Sequence, residues 1–412
     1  MAERMPVLVS SPWYPSEDLP FAGAFVAQAV QAVLPRVGDV TVVHTKERVY
    51  GEGVEAVDRR RAQWLELTAS RLHPVPDPAA PGATLRRVEA LVPSPSTFVA
   101  TARAHRDAMR TATGTHGPTA WLDVPVVHAH VGTLDGWAAA TTVHPDTRLV
   151  LSEHYSKLRR VWATLDGREV YREALLRADA VTVPSEFLAA QLRGAFPWVA
   201  DKLVSVGNVV DVDAVAMRPT PVQAVDRWLF LGRLTTQKRV AAVLEAFAVF
   251  ARSHPRATLT FAGGGPEEAA LRARAADLGL AAAVEVLGPV APADVPAVLH
   301  AHDVLVHLSS VETFGITVAE ALASGMPVVV TRCGGPEEIL GGAPAGAGTL
   351  VPLDATPDAV AAAVTALEPV LAERDAEAAR ASIVERYSPG AMGARLLALY
   401  QGDAGDPTEV TP

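Results

Sequence analysis

The strongest constraint on the fold is a regular alternation between short apolar runs and longer stretches with apolar residues at helical spacing. Short, continuous runs of β-branched and other apolar residues are typical of strands buried on both faces of a parallel sheet. The helical stretches between them would cover those two faces. The pattern therefore predicts an α/β protein with strands at Val7–Ser11, Val40–Thr45, Val126–His130, Arg148–Ser152, Ala180–Val183, Lys202–Val206, Trp228–Leu231, Thr258–Ala262, Val284–Leu287, Val304–Leu308 and Val328–Thr331.

A chain of 412 residues exceeds what one hydrophobic core usually serves, so two domains are expected. The pattern loosens at residues 214–226 and then restarts. This predicts two doubly wound, Rossmann-like domains, residues 1–220 and 225–385, that face a central cleft. Residues 50–118 have no readable period and contain proline-rich breaks, so they could form either an irregular excursion or short added strands. Residues 403–412 are rich in Gly, Asp, Pro and Thr, and we expect a disordered tail there.

Charge and composition exclude several classes of protein. The formal net charge of −10 argues against nucleic-acid partners, which normally meet a basic face. The single cysteine, Cys333, excludes an internal disulfide and fits a reducing cytoplasm. The first apolar run is too short for a signal peptide and no run has the length of a transmembrane helix, so we expect a cytoplasmic protein. The basic run Arg59 to Arg61 is ordinarily a solvated face, but peripheral contact with an anionic membrane or an acidic acceptor stays open.

The most informative motif covers residues 309–325, which follow a predicted strand and open a predicted helix. The first backbone N–H groups of such a helix have no intrahelical partner, so they form a site for an anion such as a diphosphate. Gly315 removes the side chain where a ligand would approach closely. Glu312 precedes the helix and Glu320 lies one turn inside it, so both carboxylates could accept hydrogen bonds from ligand hydroxyls. Glutamates that merely complement the helix dipole would explain Glu320 better than Glu312.

A second motif, residues 230–239, combines a strand, a turn and a helix start with three cations, Arg233, Lys238 and Arg239. We predict that Lys238 and Arg239 occupy the first helical turn, where each cation opposes the dipole at a cost of about 0.3–1 kcal/mol. A bound diphosphate would reverse this penalty. The alternative, an exposed Lys238 without a role, is weakened because the chain has only four lysines.

Two other patterns do not carry a cofactor site. A dinucleotide fingerprint that begins at Gly263 would need a glycine where Glu268 stands. The pairs His128/His130 and His300/His302 have the spacing of two ligands, but no nearby pattern completes a metal site. We therefore expect no cofactor and no metal.

Taken together, these motifs resemble a known family. Glu312 and Glu320, with seven residues between them and Phe314-Gly315 inside, resemble the paired-glutamate signature of retaining GT-B glycosyltransferases, of the family 4 type. The resemblance implies that Arg233 and Lys238 bind the donor diphosphate, Glu312 the hexose and Glu320 the ribose. It also implies donor contacts from Gly23, Gly263, Val290, Phe314, Gly315, Ile316 and Thr317, although a purely structural role for Gly263 is equally open.

The resemblance further implies a histidine beside the reacting sugar, which we identify with His154 at the end of a strand. The catalytic set is then Arg233, Lys238, Glu312 and His154. Phe25, His130 and Tyr155 are the candidate acceptor-binding residues. Residues 386–402 resemble the family's last helix, which crosses back onto the first domain.

The activity that the resemblance implies is transfer of a hexose from a nucleotide diphosphate sugar, commonly a UDP-sugar, with retention of configuration. The acceptor would be a hydroxyl of a metabolite or natural product, a lipid or a glycan. No Asp-x-Asp motif appears, so we expect fixed cations to replace a metal ion. An epimerase or a phosphorylase of the same fold, and a noncatalytic donor-binding subunit, remain alternatives. An NAD-dependent oxidoreductase is disfavoured by the failed glycine fingerprint.

Overall fold

The computed structural model describes residues 5–50, 73–115 and 120–403. Arg59 to Arg61 and most of the predicted tail lie outside the described residues. The chain forms two compact units, Met1–Val209 with Pro389–Pro412, and Val210–Ser388. Each is called here by its order along the chain, unit 1 and unit 2.

Unit 1 is built on an eight-stranded sheet. Its strands are β1 (Val7–Ser11), β2 (Val40–Tyr50), β3 (Val75–Pro76), β4 (Thr84–Pro93), β5 (Val126–His130), β6 (Arg148–Ser152), β7 (Ala180–Val183) and β8 (Leu203–Ser205). Their order is β3-β4-β2-β1-β5-β6-β7-β8, and among the described strands only β3 runs antiparallel to its neighbour. The order reverses between β1 and β5, so loops that follow these two strands lie side by side at the carboxyl edge.

The helices of unit 1 cover this sheet. They are α1 (Ala24–Val37), α2 (Phe98–Thr113), α3 (Trp137–Ala140), α4 (Leu158–Trp162), α5 (Leu165–Arg177), α6 (Glu186–Ala195) and α14 (Pro389–Gln401), with a π-helical turn at Val131–Gly136 and a 3₁₀ turn at Pro197–Lys202. The last helix packs on α1, because Gly393 has no Cβ and so lets the helix approach the backbone of Ala32. Arg36 reinforces the contact by donating to the carbonyl of Gly390 at 2.9 Å.

Unit 2 holds a six-stranded, wholly parallel sheet. Its strands are β9 (Arg227–Leu231), β10 (Thr258–Ala262), β11 (Val284–Gly288), β12 (Val304–His307), β13 (Val328–Thr331) and β14 (Gly348–Val351). The order β11-β10-β9-β12-β13-β14 is that of a doubly wound nucleotide-binding domain. It reverses between β9 and β12, and ligands of such sheets bind outside the carboxyl ends of the strands at this point.

Helices cover both faces of the second sheet as well. They are α7 (Val240–Ala251), α8 (Glu268–Asp277), α9 (Val295–Ala301), α10 (Ile316–Ala323), α11 (Gly335–Gly341), α12 (Pro357–Thr365) and α13 (Ala376–Tyr387), with 3₁₀ turns at Thr236–Lys238, Pro292–Asp294 and Glu368–Val370. Val210, Val212 and Val215 are buried in the core that contains α10. Because these valines complete the core of unit 2, the division falls after Val209, earlier than the predicted bound at residue 220.

The α/β fold with two parallel sheets is as predicted, while several local details differ. Strand β2 continues to Tyr50. Strands β3 and β4 correspond to the alternative of added strands in residues 50–118, whose positions were not predicted, and β14 was absent from the prediction. The predicted position of Lys238 and Arg239 in the first turn of a helix is wrong. Lys238 ends a 3₁₀ turn and Arg239 has a left-handed backbone (φ 50°), so the α-helix begins only at Val240. Within the described ranges, none of the helices is long and apolar enough to cross a membrane.

Candidate active site

Two loops meet at the carboxyl edge of the unit 2 sheet, where the strand order reverses. One follows β9 and contains Gln237 and Lys238; the other follows β12 and contains Ser310 and Glu312. The backbone carbonyl of Gln237 accepts from the backbone N–H of Ser310 at 2.8 Å, and its side-chain amide donates to the carbonyl of Val311 at 3.2 Å. The two predicted motifs are therefore joined directly, although 74 residues separate Lys238 from Glu312.

At the centre of this junction lies a buried carboxylate with two partners. Lys238 Nζ forms an ion pair with Glu312 Oε1. His307, the last residue of β12, approaches the same oxygen with its Nε2 atom at 2.7 Å. Burial alone would raise the pKa of Glu312, but the charge of Lys238 and the hydrogen bond from His307 outweigh it and lower the pKa to about 2. Glu312 is thus an anion at neutral pH.

The backbone of Glu312 is fixed on both sides. Its N–H donates to the carbonyl of Cys333 at 2.8 Å, and its own carbonyl accepts from the N–H of Gly335 at 3.0 Å. Only the side-chain torsions of Glu312 remain free to vary. Among the described residues, its Oε2 atom has no hydrogen-bond partner, in contrast to Oε1 with its two contacts. One carboxylate oxygen is therefore available to a ligand.

Glycines bring the neighbouring loops close together. A Cβ on Gly263, after β10, would overlap the carbonyl of Gly232 after β9, and Gly263 also has a positive φ of 147°. Gly315 precedes α10 with a φ of 99°, and a Cβ there would press on Pro336 at 2.9 Å. Both sites need glycine for conformational and steric reasons. Their predicted contacts with a donor remain predictions.

The other predicted donor-binding residues of unit 2 lie around this junction. Arg233 is exposed and has no ion pair with a described acidic residue, so its guanidinium is available. Ile316 and Thr317 form the first turn of α10, where backbone N–H groups have no intrahelical acceptor. Phe314 is buried edge-on against Tyr387 at 4.9 Å, so any contact from Phe314 would come from its backbone. Val290 is partly buried against the core.

Glu320 is a partly buried acid on α10 whose pKa is shifted. Burial, and next the negative charge of Asp211, raise the pKa of Glu320 to about 7. No hydrogen bond or ion pair joins the side-chain carboxylate of Glu320 to another described residue. A carboxylate kept without a partner at a cost in stability is the pattern expected where a ligand supplies the partner.

A second cluster lies in unit 1, at the carboxyl ends of β5 and β6. His130 Nδ1 and His154 Nε2 are 3.0 Å apart, and the two rings are nearly parallel with centroids 5.2 Å apart. The ring of Phe25, from the first turn of α1, lies 4.4 Å from that of His154. These three side chains line one small cavity. Three predicted residues from separate parts of the chain are thus brought together.

The two histidines are neutral and offer complementary hydrogen-bonding groups. Burial lowers the pKa of His154 to about 3 and lowers that of His130 well below its usual value. In the hydrogen bond between them one ring donates and the other accepts. Whichever donates, the two outer nitrogens, His130 Nε2 and His154 Nδ1, comprise one donor and one acceptor. Both are buried and have no hydrogen-bond partner in the part of the chain that the structure describes, which suits a ligand hydroxyl.

Tyr155 and Gly23 take other positions near this cluster. The ring of Tyr155 packs against Trp13 at 6.1 Å instead of entering the cavity. Gly23 caps α1 with a φ of 64°, and a Cβ there would overlap the carbonyl of Trp13. Both residues therefore shape the loop after β1.

Two residues of these sites were not predicted from the sequence. Glu153 accepts hydrogen bonds from the backbone N–H groups of Gly132 (3.1 Å), His154 (2.8 Å) and Tyr155 (2.8 Å), so it holds the loops of the histidine cluster in place. His307 holds Glu312. Each was detectable as a polar residue at the carboxyl end of a buried parallel strand, where active-site groups collect. Within the described part of the chain, no group of three or more His, Cys, Asp or Glu is arranged to hold a metal ion.

Comparison with known proteins gives matches for both parts of the chain. Residues 225–380 match the family model described as Glycosyl transferases group 1, and residues 69–214 match that described as Glycosyltransferase Family 4. The GDP-mannose-dependent alpha-(1-6)-phosphatidylinositol monomannoside mannosyltransferase of Mycolicibacterium smegmatis is 32% identical over 59% of this chain and 70% of its own length.

Other relatives match over a smaller share of their own length. Glycogen synthase of Mycobacterium tuberculosis is 28% identical over 64% of this chain, which spans 65% of that enzyme. A mannosylfructose-phosphate synthase of Agrobacterium fabrum is 41% identical, but the match spans only 25% of its length. Among solved structures, Anabaena HepE in complex with UDP has a TM-score of 0.68 at 17% identity, covering 96% of this chain and 99% of that one. At 17% identity, this similarity shows a shared fold and no more.

Proposed function

This chain belongs to the family 4 glycosyltransferases and has the GT-B fold, and on that premise we propose that it transfers a hexose from a UDP-sugar to an acceptor hydroxyl, with retention of configuration and without a metal ion. The observation that carries the proposal is the junction of Lys238 and Glu312 at the carboxyl edge of the unit 2 sheet. At this junction a cation that can bind a diphosphate lies beside a carboxylate that can accept hydrogen bonds from sugar hydroxyls. The junction lies where the strand order reverses, which is where nucleotides bind in such sheets.

On the donor side, Arg233, Lys238 and the first turn of α10 bind the diphosphate. Their positive charges stabilise the charge that develops on the leaving group, which is often the largest catalytic contribution. Glu312 Oε2, which has no partner among the described residues, accepts from the hexose, and Glu320 accepts from the ribose. The fixed cations take the place of a divalent metal ion. The UDP in the HepE complex supports uridine as the nucleoside of the donor.

On the acceptor side, His130 and His154 orient the hydroxyl that attacks. Their outer nitrogens supply one donor and one acceptor, which match the acceptor and donor capacity of a hydroxyl. The acceptor oxygen bonds to the anomeric carbon on the face from which the diphosphate oxygen departs, and the acceptor's proton leaves with the diphosphate. The two imidazoles stay neutral, because the proton of the acceptor leaves with the diphosphate. The acceptor is a metabolite or natural product, a lipid or a glycan.

The test is release of nucleoside diphosphate from a panel of nucleotide sugars that includes UDP-glucose and GDP-mannose, with and without candidate acceptors, in EDTA. We expect acceptor-dependent UDP release that EDTA does not reduce, and an α-linked product from an α-linked donor by the NMR coupling constant of the anomeric proton. Acceptor-independent interconversion of sugars would indicate an epimerase, and dependence on inorganic phosphate a phosphorylase. Loss of all activity in EDTA would refute the metal-free mechanism.

Matched variants connect the activity to the site. Arg233→Ala should lower UDP release strongly, because it removes a cation from the diphosphate site. Arg256→Ala is the control, since Arg256 is equally exposed but precedes β10 and so lies at the opposite edge of the sheet. Equal activity of the two variants would refute the placement of the donor.

A further inference from the structure

His307 is a buried residue beside the proposed donor site. Neither of the two sequence motifs includes it. It ends β12 and its side chain is only 1% exposed. Its ring lies parallel to that of Phe230 on the adjacent strand β9, at 5.8 Å and an interplanar angle of 1°. Its Nδ1 atom is buried and has no hydrogen-bond partner within the described ranges. The packing therefore fixes the ring, and Nε2 is the only ring nitrogen with a partner.

That partner is the carboxylate proposed to bind the hexose. A carboxylate only accepts hydrogen bonds, so Nε2 of His307 carries the proton and donates to Glu312 Oε1 at 2.7 Å. Oε1 is also the oxygen that contacts Lys238, whereas Oε2 has no partner among the described residues. His307 and Lys238 thus both hold one oxygen of Glu312 and leave the other available.

The two partners of Glu312 differ in how far their side chains can move. Lys238 is on a loop with a flexible side chain that is 22% exposed, and a donor diphosphate would compete for its charge. His307 is buried at the end of a strand, so its side chain cannot move toward the diphosphate. When Lys238 turns to the diphosphate, Glu312 keeps a single fixed partner, because its backbone bonds to Cys333 and Gly335 do not set its side-chain torsions.

We propose that His307 is a positioning residue whose Nε2–H holds the Glu312 carboxylate against the donor hexose while Lys238 binds the diphosphate. The proposal rests on the proposed function and extends it to a residue outside both motifs. His307 acts through Glu312 and touches neither substrate. Its effect should therefore depend on the presence of the sugar, which separates it from a histidine that only stabilises the core.

The test compares variants that keep different properties of the ring. His307→Phe keeps the stacking on Phe230 but loses the donor. His307→Gln loses the ring but places an amide N–H about where Nε2 lies. His307→Asn is one bond shorter, so its amide falls short of Glu312. If the Phe variant does not fold, the Gln and Asn pair makes the same comparison. Turnover is measured with UDP-glucose, or with the donor on which the wild type is active, and affinity for UDP is measured by calorimetry.

We expect the Phe and Asn variants to bind UDP like the wild type and to lose about 10- to 100-fold in kcat, the range of a hydrogen bond to a charged group. The Gln variant should recover most of that loss. Wild-type kcat in the Phe or Asn variant, an equal loss in the Gln variant, or a parallel loss of UDP affinity would each overturn the proposal. A wild-type protein that transfers sugar from no donor would instead refute the proposed function.

Discussion

Replacing Glu320 by glutamine should stabilise unit 2 in a pH-dependent way. Glu320 is partly buried near another acid, Asp211, and has no partner of opposite charge among the described residues. Burial and then the charge of Asp211 raise its pKa from 4.5 to about 7. Glutamine has nearly the same shape and does not ionise, so Glu320→Gln removes the charge with little change in packing.

The sign and size follow from the two pKa values. Because the folded pKa is the higher one, the folded chain holds a proton that the unfolded chain has released between pH 4.5 and about 7. The stabilising effect of that proton is complete below pH 4.5 and is lost as the pH rises through 7. One pKa unit corresponds to about 1.4 kcal/mol, so ionised Glu320 costs on the order of 3 kcal/mol above pH 7. Between pH 5 and pH 8 the difference is about 2.5 kcal/mol.

The assay is urea unfolding of wild type and Glu320→Gln at pH 5 and pH 8. Fluorescence of Trp228, the one tryptophan among residues 210–388, reports on unit 2, and a Trp228→Phe variant identifies its transition. The variant should gain about 2.5 kcal/mol more over the wild type at pH 8 than at pH 5. Asp211→Asn should reduce this pH dependence without abolishing it, since burial is the larger cause. An equal gain at both pH values would refute the reasoning.

Three further changes test other parts of the structure. Lys238→Met should destabilise the free protein by about 3 kcal/mol because it leaves Glu312 buried without its cation, and adding Glu312→Gln should restore most of this loss in chemical denaturation. Gly263→Ala should cost more than 2 kcal/mol, since its Cβ would overlap a backbone carbonyl, whereas Gly341→Ala has open space and should be tolerated; thermal unfolding compares the two. Burial lowers the pKa of His154 from 6.5 to about 3, so the wild type should lose about 2 kcal/mol more than His154→Phe between pH 7 and pH 5, and equal losses would contradict the assignment.

Hydrophobic periodicity predicted the buried strands well because nearly all of their side chains pack in the core. The bounds of β1, β5, β6, β7, β10 and β13 agree residue for residue. Strand β4 could not be located from the sequence because Arg86, Arg87 and Glu89 interrupt its apolar pattern. It lies next to the edge of the sheet, where Glu89 can pair with Arg48 of the neighbouring β2. Such pairing depends on register and cannot be read from one strand alone.

The candidate site shows the same division between local and long-range information. Spacing and turn chemistry identified the segments of Lys238 and Glu312, but their ion pair is a consequence of β9 and β12 lying side by side. His307 escaped prediction because its role comes from contacts with Phe230 and Glu312, which the fold creates. The misplaced helix start had a local cause. Arg239 adopts a left-handed backbone, which is uncommon for a residue with a Cβ and is not indicated by residue type.

The central claim is that the unit 2 edge binds a nucleotide diphosphate through Lys238. Calorimetric titration of UDP into the wild type, Lys238→Met and the control Arg256→Ala tests it most directly. We predict measurable binding to the wild type and to the control, and affinity lower by about 10- to 100-fold in Lys238→Met, the range of a hydrogen bond to a charged group. Equal affinity of Lys238→Met and the wild type would contradict the account.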